Sequence, residues 1–260
     1  MKPKVYLVGA GPGAADLLTL RAVRILERAD IVFHDALVSE EILELAAKAQ
    51  KVPVGKRCGR HSTAQRFINK RLVDAAATHA VVVRLKGGDP MLFGRAQEEI
   101  DALVSAGIAC EVIPGVTSAL AASAELSVSL TRRGISRSVS FVTPRHGEGE
   151  DPGDWVDAAM AADTAVIYMG TGQAAAVSAA LIKAGKPATT PIAIVENASL
   201  PGARHAFGSL ADLPELAATS GGPALILIGE VYREIGRKAV VGEPTRNESN
   251  QAMDRASVRA

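Results

Sequence analysis

At 260 residues the chain is long for one average domain, and two domains are the better starting expectation. Hydrophobic residues make up 48%, enough for a large core, while 3% aromatics leaves its packing to aliphatic side chains and alanine. Twenty-nine Lys and Arg against 28 Asp and Glu give a net charge of +1, which excludes a global basic field for nucleic acid, so any anion site must be local.

Cys58 and Cys110 lack zinc-ligand spacing and read as reduced structural thiols. The segment after Met1 breaks at Gly9, too early for the apolar core of a signal peptide, and no apolar run approaches the roughly 20 residues of a bilayer span. A reducing, cytoplasmic address is the expectation.

In chain order, residues 4–8 read as a buried strand and residues 9–16 as a glycine loop. Ala22, Ile25, Leu26 and Ala29 then recur at the spacing of one helix face. Residues 31–33 form a second strand, after which Ser39 is placed to cap a helix carrying Ile42, Leu45, Ala46 and Ala49. Residues 51–54 are a third strand, and Ser62 with Gln65 has capping-box spacing for the next helix. A fourth strand at 81–85 leads into a second glycine loop at 86–94, a helix at 95–106 ending at Gly107, and a fifth strand at 110–113.

Strands alternating with helices predict a parallel sheet whose following loops open on one edge, where α/β folds bind ligands. Pro114-Gly115 interrupts the pattern, giving a first domain at 1–113. A second follows at 114–242, with strands expected at 139–143, 164–169, 191–195, 204–208 and 224–229 and helices from about Trp155 and Gln173. The turn-like residues 197–202 join two of those strands, so this sheet should be mixed. Residues 243–260 are polar and aperiodic and read as a loose tail.

The first glycine loop, Val8-Gly-Ala-Gly-Pro-Gly13, has the wrong spacing for a dinucleotide fingerprint, and Pro12 has no amide proton to donate. This disfavours a nicotinamide oxidoreductase and suits a non-phosphate ligand. The second loop offers glycine backbone at Gly87 and Gly88 together with Asp89, groups fit for an amino-acid moiety or ribose hydroxyls, although Asp89 could equally turn the loop.

Further motifs are Ala29-Asp-Ile-Val-Phe-His-Asp-Ala-Leu-Val38, Val54-Gly-Lys56 with Gly59, His61 and Gln65, and Arg84-Leu-Lys-Gly-Gly-Asp-Pro90. Phe93-Gly-Arg-Ala-Gln-Glu-Glu99, Ile113-Pro-Gly-Val-Thr-Ser-Ala119, Leu130-Thr-Arg-Arg133, Tyr168-Met-Gly170 and Pro223-Ala-Leu-Ile226 complete the set. In this order, over roughly residues 4–241, they resemble the tetrapyrrole methylase family, in particular its uroporphyrinogen-III C-methyltransferases.

The resemblance implies a two-domain α/β fold with an N-terminal parallel sheet covered by helices on both faces, a C-terminal mixed α/β sheet domain, and an active site in the cleft between them. It implies methyl transfer from S-adenosylmethionine to C2 and C7 of uroporphyrinogen III, passing through precorrin-1 to precorrin-2, by a homodimer. By motif position Pro12, Gly87, Gly88, Asp89, Thr117, Ser118, Met169, Ala193 and Ala224 should line the cofactor pocket, and Arg95, Glu98 and Arg133 fall at substrate or catalytic positions. The family more often has His where this chain has Arg132, which leaves open whether Arg132 or Arg133 meets the substrate.

Methyl transfer from a sulfonium to a pyrrole carbon is an in-line displacement, so alignment carries much of the catalysis. A substrate with eight carboxylates calls for guanidinium groups, and Arg95 is read as a carboxylate anchor. The proton acceptor stays open among Glu98, water and the substrate's own carboxylates. His34-Asp35, after the second strand, could also face the cleft, with a capping or turn role for Asp35 at least as well supported. Another precorrin methyltransferase and a non-catalytic S-adenosylmethionine-binding module are the alternatives.

Overall fold

The computed structural model describes residues 3–55, 61–147, 149 and 153–235; the side chains of residues 61–64 also lie outside the description. Lys56, Cys58 and Gly59, the side chains of His61 and Ser62, the domain limit at 242 and the tail at 243–260 are therefore outside the described residues.

The chain forms two compact units, Met1–Ser118 and Ala119–Ala260. The first contains β1 (Lys4–Gly9), α1 (Leu20–Leu26), β2 (Ile31–His34), α2 (Glu40–Glu44), β3 (Gln50–Pro53), α3 (His61–Ala76), β4 (Val81–Lys86), α4 (Ala96–Ser105) and β5 (Ala109–Ile113). Its five strands are all parallel in the order β3-β2-β4-β1-β5, as the strand–helix alternation predicts.

Strand residues alternate between the two faces of this sheet. Tyr6, Val8, Val32, Val83, Leu85 and Ile113 pack against Ala22, Ile25, Leu26 and Ile42 of α1 and α2. Val5, Leu7, Phe33 and Val82 face the other way, onto Ile68 and Leu72 of α3 and Leu103 of α4. Each fully buried aliphatic side chain contributes roughly 1.5–3 kcal/mol to holding these layers together.

The helix starts depart in part from expectation. Thr19 caps α1, its Oγ1 accepting from the Ala22 amide at 3.2 Å. Ser39 occupies the N-cap of α2, but its hydroxyl donates to the Gly13 carbonyl at 3.1 Å and so ties down the first glycine loop instead. Similarly, Ser62 lies inside α3 rather than before it, and Gln65 donates to Asn69 and Glu99.

The second unit begins with α5 (Ser118–Glu125), a helix the sequence pattern does not predict, followed by β6 (Val139–Val142), α6 (Trp155–Ala161), β7 (Thr164–Ile167), α7 (Ala174–Lys183), β8 (Pro191–Glu196), β9 (Arg204–Ser209), α8 (Leu213–Ala218) and β10 (Ala224–Gly229). The order is β6-β7-β10-β8-β9, with β6 parallel to β7 and the other pairs antiparallel, so the mixed sheet is as expected.

The units divide at Ser118–Ala119, whereas the Pro114-Gly115 break suggested a first domain ending at 113. The physical reason is Gly115: its amide donates to Asp89, and its Cα stands against Gly9 and Gly88 of the first unit.

Candidate active site

The loops that follow β1, β4 and β5 leave one edge of the parallel sheet and meet backbone to backbone. Gly11 and Gly88 form an antiparallel bridge, the Gly88 amide donating to the Gly11 carbonyl at 2.7 Å and the Gly11 amide to the Gly88 carbonyl at 3.1 Å. Both residues adopt positive φ, +70° and +67°, where a side chain would be strained. At Gly9 the requirement is space, since a Cβ there would stand 2.6 Å from the Gly115 nitrogen and 2.8 Å from the Gly88 carbonyl oxygen.

The Gly88 amide, read from sequence as a donor to a ligand, is thus engaged by Gly11. Asp89 plays the turn role that the sequence left open. Its Oδ1 accepts from the Met91 amide at 2.8 Å and its Oδ2 from the Gly115 amide at 2.9 Å, which locks the second glycine loop to the Pro114-Gly115 turn. Pro12, Gly87, Gly88, Asp89 and Thr117 are all half-buried on these loops, with Thr117 Cα 3.9 Å from where a Cβ on Gly88 would project. The glycines leave bare backbone at this edge between Pro12, Asp89 and Thr117, a surface suited to a flat or extended ligand held at close approach.

Beneath the loops lies a group of charges that sequence reading missed. Arg84 and Lys86, two apart on β4, share a face and are 2% and 3% exposed, and Glu99 of α4 is completely buried opposite them. Glu99 Oε1 accepts from Arg84 Nε at 3.0 Å and from Gln65 Nε2 at 3.1 Å, while Lys86 Nζ donates to both Glu99 oxygens at 3.1 Å. The far end of the Arg84 guanidinium donates from Nη2 to Asp35 Oδ1 at 2.5 Å. Asp35 follows β2 on the same sheet edge and is half-buried.

Burial pulls the Arg84 pKa down, but Asp35 and Glu99 outweigh it and hold the guanidinium above its ordinary value. Burial and then the Arg84 charge push the Lys86 ammonium below the usual lysine range, despite Glu99. An Arg-x-Lys pair in an otherwise apolar strand is the signal that could have revealed this group, because two buried cations on one face require a buried anion.

Arg95 and Glu98 form a bidentate ion pair at the start of α4, Nε to Oε1 at 2.6 Å and Nη2 to Oε2 at 2.8 Å, on the exposed side of the helix. In sequence this pairing was indistinguishable from an ordinary surface pair. The structure adds one feature: Arg95 has φ +53° and ψ +27°, a left-handed conformation that costs a non-glycine residue roughly 1 kcal/mol or more. Strain of this kind concentrates at functional positions.

In the second unit Met169 shows the same signature, with φ +54° and 42% exposure just beyond β7. The register that sets Ile226 opposite Ile167 brings the Ala224 end of β10 beside the Met169 end of β7. Ala193, by contrast, is fully enclosed in the core with Val166, Leu227 and the alanines of α5, so it offers no side-chain surface to a ligand. Ser118 opens α5, and the Tyr168 hydroxyl accepts from the next amide, Ala119, at 3.2 Å.

Arg132 and Ser136 close a short turn that carries Arg133 at its tip. Arg132 is paired with Glu234 at 3.2 Å, whereas Arg133 is exposed and forms no ion pair with any described residue. Among the described residues no cluster of His, Cys, Asp and Glu could hold a metal ion, and no helix is long and apolar enough to cross a membrane.

Residues 4–214 match the family model for tetrapyrrole (corrin/porphyrin) methylases. The chain belongs to that family. It is 47% identical over 229 residues to a siroheme synthase of Zymomonas mobilis and 43% identical over 247 residues to one of Yersinia pestis, covering 88% and 95% of this chain but 49% and 52% of those proteins. It therefore spans about half the length of these curated relatives.

Among solved structures it resembles uroporphyrin-III C-methyl transferase from Thermus thermophilus complexed with S-adenyl homocysteine, with TM-score 0.77, 38% identity and coverage of 89% of this chain and 94% of that one. A cobalt precorrin-4 methyltransferase follows at TM-score 0.76 and 28% identity, covering 88% and 95%. The two-sheet fold expected from the motifs is that of these family members. The expected methyl donor agrees with the ligand of the Thermus enzyme, which is S-adenosylmethionine without its methyl group.

Proposed function

We propose that this chain transfers methyl groups from S-adenosylmethionine to C2 and then C7 of uroporphyrinogen III, giving precorrin-2 by way of precorrin-1. The observation that carries the reading is the likeness to the Thermus uroporphyrin-III C-methyl transferase over nearly the whole of that enzyme, S-adenyl homocysteine included. The family resemblance further supports a homodimer, and cysteines without metal-ligand spacing fit a reducing, cytoplasmic address.

The donor supplies an activated methyl group. Its carbon–sulfur bond breaks as the new carbon–carbon bond forms, neutral S-adenosylhomocysteine leaves, and the positive charge passes to the macrocycle until a proton is lost. The chain need form no covalent bond, so alignment and electrostatics are its contribution. The close-packed glycine edge of the first unit, with Pro12, Gly87, Gly88 and Asp89, would hold the donor, and by motif position Met169 and Ala224 are the second unit's candidate donor residues.

Asp35 is the carboxylate best suited to offset the developing charge and take the proton. It stands half-buried at the sheet edge with one oxygen held by buried Arg84, whereas Glu98 has both oxygens occupied by Arg95. Arg95 and Arg133 would anchor substrate carboxylates. The alternative of a donor-binding module without catalysis differs in one measurement: anaerobic incubation with uroporphyrinogen III and labelled S-adenosylmethionine should place two methyl groups on each macrocycle. An unmethylated macrocycle overturns the proposal.

A further inference from the structure

The buried charges below the glycine loops do no work that packing alone requires. Replacing a buried ion triad with apolar residues is commonly neutral or stabilising, so its presence calls for another account. Glu99 is the only anion fully enclosed by the group, and everything else in it radiates from this carboxylate.

In one direction Arg84 runs from Glu99 to Asp35, its Nε on the first carboxylate and its Nη2 on the second, while Nη1 donates to the Leu85 carbonyl at 3.1 Å. Three fixed contacts leave the guanidinium plane no freedom, and the plane in turn fixes where Asp35 Oδ1 sits. In the other direction Lys86 runs under the second glycine loop. Its Cε lies 3.1 Å from where a Cβ on Gly94 would be, so the lysine stem supports the Pro90–Gly94 turn while Glu99 pins its ammonium. Gln65 of α3 donates to the same Glu99 oxygen as Arg84 and holds it from the helix side.

We propose that Glu99 is a positioning residue for methyl transfer: it sets the orientation of Asp35 through Arg84 and the seat of the second glycine loop through Lys86, without touching either reactant. This rests on the reading of Asp35 as the group that answers charge on the macrocycle. A merely structural anion would affect stability and leave the kinetic balance intact. A positioning anion alters the chemical step while substrate and donor still bind, because alignment errors of an ångström or less weigh on the transition state and little on the ground state.

The test compares the intact protein with E99Q and R84K, using uroporphyrinogen III and S-adenosylmethionine. Glutamine keeps the Oε1 acceptor for Arg84 and Gln65 but removes the charge and puts an amide donor against Lys86. Lysine at 84 keeps a cation beside Glu99 but cannot span both carboxylates. Both variants should fold by circular dichroism and bind S-adenosylhomocysteine within about twofold of the parent, with kcat reduced at least tenfold and KM for the macrocycle changed little. E99D, which restores the charge at a shorter reach, should recover part of kcat.

Parent-like kcat in E99Q and R84K overturns the proposal, as does a loss expressed only in KM. Failure of both to fold also overturns it, since the carboxylate would then be a structural staple. An inactive parent is a different result: it refutes the assigned reaction rather than the role of Glu99.

Discussion

The two sheets treat buried charge differently. In the N-terminal sheet two cations of one strand, Arg84 and Lys86, are enclosed with a helix carboxylate, Glu99, and reach outward to Asp35 at the sheet edge. In the C-terminal sheet the buried strand carboxylate, Glu196, accepts from the Gly221 and Gly222 amides at the end of β8, and Arg132, Arg133 and Arg137 lie exposed. Glu196 satisfies backbone donors of a turn, a role folding itself demands. The Arg84–Glu99–Lys86 group is satisfied mainly by its own charges and Asp35, with single contacts to Gln65 and the Leu85 carbonyl, and removing one member of such a group costs about 3–5 kcal/mol. Paired buried charge is concentrated at the edge of the parallel sheet, where its loops converge, while the buried carboxylate of the mixed sheet caps a turn.

The comparison is tested most severely at the glycines. If the first unit's edge is a close-packed backbone junction, Gly9→Ala should lose at least about 3 kcal/mol of stability, because its Cβ would meet backbone of two other loops with nothing flexible to yield. Gly172→Ala, in the short turn after β7 with open space at its Cβ, should change stability by no more than about 0.5 kcal/mol. Denaturant unfolding of both variants measures the contrast, and equal losses would mean the junction is softer than its geometry.

The same asymmetry explains what could be read in advance. The parallel sheet was legible because its strands are short apolar runs between amphipathic helices, and the mixed sheet because the turn at 197–202 joins two strands directly. Helices α5 and α8 escaped because Ser118–Glu125 is almost all small residues and Leu213–Ala218 spans under two turns, so neither presents a polar–apolar contrast. The charged group escaped for another reason: Glu99 sits beside Glu98 in a helix, where pattern alone gives both to solvent, and only the fold shows that Glu99 turns inward while Glu98 turns out to Arg95. Left-handed Arg95 and Met169 are equally invisible in sequence, since neither residue type favours that conformation.

Between the sheets' exposed arginines the comparison becomes kinetic. Arg95→Lys should retain S-adenosylhomocysteine binding and lose most turnover, roughly tenfold or more, since lysine cannot reproduce a planar, bidentate contact. In the second unit, Arg133→Ala should raise KM for the macrocycle about tenfold, and Arg132→Ala about twofold, because Arg132 is already held by Glu234. Steady-state kinetics on the three variants orders them, and a larger KM effect at Arg132 than at Arg133 would reverse the assignment.

The smallest effect concerns a charge that serves folding alone. Asp163, just before β7, takes three donors on Oδ2, the Arg137 amide at 2.8 Å, the Ser138 amide at 3.1 Å and the Ser138 hydroxyl at 2.9 Å. The Arg137 amide first, then the Ser138 hydroxyl, hold its carboxyl below the usual aspartate range. A depressed folded pKa means that the ionised group favours the folded state, so its contribution is complete above the ordinary aspartate value and is lost as pH falls through the folded value. Asp163→Asn should therefore be less stable than the parent at neutral pH, and the gap should close as the solution is acidified below about pH 4. A gap that persists unchanged in acid would mean that shape, rather than charge, is what Asp163 supplies to the start of β7, and the contrast between a sheet with functional buried charge and one with purely local capping would rest on Glu196 alone.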